Sequence, residues 1–222
     1  MYVHYRLSQY DKRQRLLSAS PPSQSRSFVK AFLQLVYMLM SDASSENIID
    51  ITNTSRNFDD EADAYTTVMH PGLDSKSLLL LTNGFSSGGG GNIVDTPPWD
   101  ILSDDCGIVI GTSSTAVAVA DDNLVAPIEH GSTSGKMVHY GCYGLNYTTG
   151  ASSASFDVER IFRNDSGGSI VVAEIGMYAA SGIAPGTNQG SAYCILRDVL
   201  GATVTVLNGE YLKVKYTITV SN

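Results

Sequence analysis

A chain of 222 residues, 43% of them hydrophobic, is long enough to bury a core without disulfide or metal staples. Fourteen basic residues against twenty-two acidic ones give a net charge of −8. That argues against general binding to a nucleic-acid backbone, whose affinity comes largely from Lys and Arg. Only 16% of residues are charged, below the usual quarter or so, as in subunits that pack against one another.

The charge is unevenly spread. Arg6, Lys12, Arg13, Arg15, Arg26 and Lys30 face a single acid, Asp11, in the first thirty residues. That segment therefore carries +5 and the remainder −13. Pro21–Pro22 blocks regular structure after Leu17, so residues 1–26 are expected to form a basic extended arm, suited to an acidic neighbouring subunit. Residues 28–40 follow as a helix, with Ser25 or Ser27 as its cap. Phe28, Val29, Phe32, Leu33, Leu35, Val36, Leu39 and Met40 make it apolar on more than one side, so a buried helix is expected. The run lies too far in for a signal peptide and is shorter than the about 20 residues of a bilayer span. Synthesis in a cytoplasm is expected, and the Asn-x-Ser/Thr triplets at Asn53, Asn146 and Asn164 then carry no glycosylation meaning.

Residues 48–52 read as a short strand and 78–81 as another. Asp59, Asp60, Glu61 and Asp63 lack calcium-loop spacing and read as a solvated loop. The four glycines at 88–91 have no following Gly-Lys-Ser/Thr to make a phosphate cradle. They read as a loop that is costly to order, and Trp99 after Pro97–Pro98 as an anchor in a pocket or in the core. Residues 106–111 form a strand, and residues 112–128 wind around a sheet edge. The tyrosines at 140, 143 and 147, interspersed with Gly141 and Gly144, fit a bulged strand.

The last third is the most regular. Residues 155–163 alternate until Asn164–Asp165–Ser166–Gly167–Gly168 breaks them, and residues 169–180, 192–197, 202–207 and 211–220 give four further strands. Asn208–Gly209 marks a tight turn before the last. Alternation gives each strand one wet and one buried face, so the strands must close against a second sheet or another subunit. Glu174 interrupts an apolar strand and must not be buried alone. Arg197 is its expected partner.

Candidates for chemistry are sparse. Glu129–His130 with Ser132 or Ser134 has the residue types of a triad, but neighbours on one strand point to opposite faces. Asp104, Asp105, Asp121 and Asp122 have the type needed for paired carboxylates, although Asp doublets among Ser and Gly are more often turn residues. Cys106, Cys142 and Cys194 are odd in number and widely spaced, so no disulfide framework or zinc site is expected. The reading is of a non-enzyme, with no catalytic, cofactor or metal residues and no cofactor.

Two stretches carry a resemblance. Ile108–Val109–Ile110–Gly111–Thr112–Ser113 leads to Asp121–Asp122–Asn123–Leu124–Val125–Ala126–Pro127–Ile128. The later run is Phe156–Asp157–Val158–Glu159–Arg160–Ile161–Phe162–Arg163–Asn164, continuing through residues 170–178 and 196–218. Together, over residues 108–220, they resemble the β-rich structural proteins of tailed bacteriophage virions. The resemblance implies a subunit of a tail, neck or capsid vertex, located in the virion, that assembles with its own copies and with other virion proteins, without a small-molecule substrate or a membrane.

The expected fold is mainly β, an antiparallel jelly-roll-like sandwich at 105–222, preceded by the arm at 1–26 and a helix with loop-rich connections at 27–104. The rival readings are a carbohydrate- or receptor-binding module of a tail fibre, which would expose Tyr143, Tyr147 or Trp99 beside Asp or Asn, and a polysaccharide hydrolase.

Overall fold

The computed structural model describes residues 1–25, 27–41, 47–57, 104, 107–180 and 192–221. The expected strand at 78–81, the acidic run at 59–63, the glycine run at 88–91 and Trp99 lie outside them. The fold is mainly β, with antiparallel sheets and a single helix among the described residues.

The larger sheet has the order β2 (Leu16–Ala19), β1 (Tyr2–Tyr10), β11 (Tyr211–Ser221), β8 (Ser153–Arg163) and β7 (Val138–Thr149), and β3 (Ser23–Ser25) also pairs with β1. The smaller sheet has the order β10 (Ala192–Val206), β9 (Ile170–Ala180) and β6 (Gly107–Gly111). A separate pair joins β4 (Asn47–Ile49) to β5 (Ser55–Asn57).

Of the arm expected at 1–26, the described residues 1–25 do not form a free extended segment. Tyr2 to Tyr10 pair in unbroken register with β11, from Tyr2↔Thr219 to Tyr10↔Tyr211. The reason is in the side chains. Val3, Tyr5 and Leu7 alternate inward and are buried, while Arg6 points to solvent. Of the basic residues that suggested an arm, Arg6 occupies the wet face and Lys12, Arg13 and Arg15 the following turn. There Asp11 Oδ1 accepts the backbone N–H of Arg13 and Arg15, and Gln14 takes a left-handed φ of 60°.

The two sheets pack face to face. β8 and β11 pair in the larger sheet, β9 and β10 in the smaller, and the chain turns from one sheet to the other at residues 164–169 and 207–210. Asn208–Gly209 is therefore a turn between sheets, with Gly209 at φ 85°. Asn164 holds the two turns together. Its side-chain amide, fully buried, donates to Gly168 O at 2.8 Å and Val206 O at 2.7 Å, and its Oδ1 accepts from Ser166 N and Oγ. Gly209 N donates to Asn164 O at 2.6 Å. Between the sheets, Arg160 Nη1 donates to Ile108 O at 2.8 Å, and Tyr216 OH donates to Asp198 Oδ2 at 3.2 Å.

The strands expected at 192–197 and 202–207 are one strand, β10. A register shift between Val199 and Val204 absorbs Gly201 without ending the ladder to β9. Residues 48–52 divide differently. The strand stops at Ile49, and Asp50 turns the chain, its Oδ1 accepting from Thr52 N and Thr54 N with Asn53 at φ 59°.

The outer face of the smaller sheet is covered by its own chain. β9 is buried on both faces from Val172 to Ala179, which is why it reads as an apolar run and not as an alternation. Residues 126–128 lie along the edge of β6, with Thr112 N bonded to Ala126 O and Ile128 N to Ile110 O, both at 2.9 Å. Residues 27–29 lie along β10, where Arg197 N donates to Ser27 O and Val29 N to Ile195 O. Helix α1 (Lys30–Ser41) follows. Ser25 lies in β3 and does not cap it. Ala31 and Leu35 are buried but Leu33 is 67% exposed, so the helix is not buried all round. No helix among the described residues is long and apolar enough to cross a membrane.

Candidate functional site

The most concentrated chemistry in the described chain is a buried ion network on the outer face of the smaller sheet. Arg197 Nε lies 2.8 Å from Glu174 Oε2, and both side chains are fully buried. Arg197 Nη1 lies 2.7 Å from Asp121 Oδ2, and its remaining N–H groups reach Thr115 O at 2.8 Å and Ala116 O at 3.4 Å. Glu174 Oε1 accepts Ala126 N at 2.8 Å, and Oε2 accepts Val125 N at 3.3 Å. The expected pairing of Glu174 with Arg197 is therefore present on adjacent strands, with Asp121 as a third member.

Burial opposes the Arg197 charge, but the hydrogen bonds it donates to Asp121 and Glu174 overcome it and hold its pKa above the ordinary value. A planar guanidinium with several fixed donors suits such a site. The network fastens the loop at 112–127 onto the sheet. Gly111 makes room for it, since a Cβ there would sit 2.5 Å from Glu174 Oε1 and 2.7 Å from Ala126 O. A second tie lies beside it. Tyr178 OH donates to Asn123 Oδ1, Leu124 N donates to Tyr178 OH at 3.1 Å, and Asn123 Nδ2 donates to Ile51 O at 2.8 Å. Burial pushes the Tyr178 phenol far above its usual range.

The triad candidates are engaged elsewhere. Glu129 pairs with Lys136 at 2.5 Å, and both side chains are well exposed. His130 Nδ1 accepts the backbone N–H of His139 at 3.1 Å, and His130 N donates to Asp104 Oδ2 at 3.0 Å. Ser132 and Ser134 are exposed on the same turn. The acidic candidates separate as well. Asp104 bonds to His130, Asp121 to Arg197 and to Ala118 N, Asp122 is half-buried, and Asp105 lies outside the described residues. Among the described residues no group of three or more His, Cys, Asp or Glu is placed to hold a metal ion. Cys142 and Cys194 are buried thiols, and burial pushes Cys194 up to about 12. Cys106 lies outside the described residues.

One group escaped sequence reasoning. His139 is fully buried, its ring 4.9 Å from Phe162 and 5.7 Å from His130. Burial first, then the Arg160 and His130 charges, lower its pKa to about 3. Its position on the inner face of a bulged strand is what hid it. A register shift between His139 and Cys142 changes which side chains face inward.

Two surfaces remain available among the described residues. On β7, Tyr140, Tyr143 and Tyr147 are exposed, Tyr147 by 73%. Asn146 lies between the last two and donates to Asp157 Oδ2, which Lys215 Nζ also approaches at 3.1 Å. At the other end of the sheet, every residue of β2 is exposed, Leu16 by 58% and Leu17 by 51%. Sequence reasoning missed β2 because Pro21–Pro22 and the basic cluster pointed to an arm. Comparison with protein-family models, curated proteins and solved structures finds no match to this chain.

Proposed function

We propose that the chain is a structural subunit of a tailed-phage particle, a tail, neck or capsid-vertex protein that assembles with its own copies and adjacent virion proteins. The observation that carries this reading is the use to which the fold puts its buried charge. Glu174, Arg197 and Asp121 have their polar atoms committed to fastening the loop at 112–127 onto the sheet. Such an investment makes a rigid scaffold, which is what a repeated subunit under mechanical load requires. The virion assignment itself rests on the resemblance of residues 108–220. Peptide mass spectrometry and antibody labelling of purified particles test it. Stoichiometric recovery with labels at fixed positions supports the reading, and particles lacking the chain refute it.

The exposed tyrosines favour a second reading. Tyr143 and Tyr147, with the exposed Asn146 between them, have the composition of a shallow sugar-binding strip, in which aromatic faces cover apolar sugar faces and amides bond to hydroxyls. A glycan array distinguishes it. Binding lost in Tyr147→Ala would make the chain a receptor-binding module.

A further inference from the structure

Asn208–Gly209 is a pair of residues whose chemistry needs nothing outside the chain except water. The backbone nitrogen of a glycine can attack the side-chain carbonyl carbon of the asparagine before it, because no Cβ crowds the approach. The new N–C bond replaces the carboxamide C–N bond, and ammonia leaves with the proton of the glycine nitrogen. The product is a five-membered cyclic imide. Water then adds to one of its two carbonyls and opens the ring, giving either Asp or an isoaspartyl link that carries the main chain through the side chain.

The fold holds both reacting groups out of position. Glu210 N donates to Leu207 O at 3.0 Å, and of the two central residues only Gly209 has a positive φ, which makes the turn type II. The first central residue of such a turn has ψ near about 120°. Ring closure needs the opposite sign, with Gly209 N swung to the side of the Asn208 Cβ. The nucleophile is also committed, since Gly209 N donates to Asn164 O at 2.6 Å. The electrophile is pinned by its oxygen, Asn208 Oδ1 accepting Gly167 N at 2.8 Å. Both holds come from the facing turn at residues 164–169, which the buried Asn164 side chain shapes through its bond to Gly168 O.

We propose that Asn208 is a self-modification site gated by the corner: imide formation with Gly209 is blocked while Asn164 and Gly167 hold the turn, and proceeds once they release it. Burial is not the protection. Asn208 is exposed, so water and hydroxide reach it and geometry alone stands in the way. The two products differ in consequence. Asp at 208 keeps an oxygen for Gly167 N, whereas the isoaspartyl link adds a methylene to the main chain between β10 and β11 and no longer fits the turn. A corner that stays open long enough to react is then left without its closed form. The gate is independent of whether the chain assembles.

Peptide mapping by mass spectrometry on the full chain, incubated at mildly alkaline pH, follows the conversion. In guanidinium chloride that unfolds the chain, Asn208 and Asn83, which also precedes a glycine, should convert at similar rates. In the native chain Asn208 should convert at least tenfold more slowly than in denaturant. Asn164→Ala should remove most of that protection, while Gly176→Ala, a packing change in β9, should leave it in place. A measurement on the wild type frees the test from the folding of the variants. Below the unfolding transition the Asn208 rate should rise with denaturant as Gly209 amide exchange does, and not as the slowest core amides do. Equal rates in the native and unfolded chains would overturn the gate. So would a rate that both variants raise or that neither raises, or one that tracks the core amides.

Discussion

Arg197 meets Glu174 across two strands that do not pair them directly. In the β9–β10 ladder Arg197 faces Gly176 and Glu174 faces Val199, so the bridge runs diagonally, with its atoms 2.8 Å apart. The glycine makes the diagonal possible. A Cβ at Gly176 would lie 2.6 Å from Leu124 Cδ1 and 2.8 Å from Leu196 O, so the loop that roofs the ion pair closes down over the space a side chain would fill.

Removing Arg197 leaves Glu174 buried without a cation, and removing Glu174 leaves Arg197 with Asp121 as its one carboxylate. Arg197→Met or Glu174→Gln is expected to cost about 3–5 kcal/mol of unfolding free energy. The double variant should lose clearly less than the sum of the two, because neither fully buried charge is then left without the other, and Asp121, 20% exposed, can turn to water. Urea denaturation of the four proteins measures the coupling. Additive losses would mean that the bridge contributes little beyond its separate contacts.

The glycines around the network give a packing contrast. Gly176→Ala and Gly111→Ala each insert a methyl into space that backbone oxygens occupy and should cost about 1–3 kcal/mol. A Cβ at Gly201 meets nothing within 4 Å, so Gly201→Ala should be close to neutral. Thermal melts of the three variants check the order.

Acid should weaken the sandwich through His139. In the folded chain its pKa is lowered from 6.5 to about 3. Above the unfolded value both states are neutral and stability is unaffected. Below it the unfolded chain takes up a proton that the folded chain refuses, so stability falls as pH drops from 6.5 toward 3, by up to about 1.4 kcal/mol per pH unit. His139→Phe should flatten the slope of stability between pH 6.5 and 4.5. An unchanged slope would assign the acid sensitivity to other groups.

Asn164 should behave as a corner lock. Asn164→Ala strands Gly168 O, Val206 O and Ser166 N, groups that the amide now satisfies. Of these bonds only the one to Val206 O is buried, whereas Gly168 is exposed and Ser166 partly so, so the expected loss is about 1–3 kcal/mol, the cost of one unsatisfied buried group. Hydrogen exchange should rise at Gly209, whose amide is held by Asn164 O. Exchange that rises uniformly over both sheets would instead indicate global weakening.

Strands were legible where one physical pattern acted alone. β8 and β11 alternate because one face meets the smaller sheet and the other meets water, and the single charge in β9 announced a partner on a neighbouring strand. β1 carried the same alternation in Val3, Tyr5 and Leu7, but its basic neighbours suggested a solvated arm. The division of β10 failed because a glycine that normally ends a strand is absorbed there by a bulge. Asp121 was read as a turn residue, and the loop at 112–127 does turn there. Its bond to Arg197 depends on how that loop folds back over β9, which no local pattern encodes.

Reconstruction of purified phage particles at side-chain resolution tests the structural role most directly. The account predicts copies of this sandwich at fixed, symmetry-related positions. Particles whose density contains no such sandwich, with the chain recovered as a free species, would contradict it.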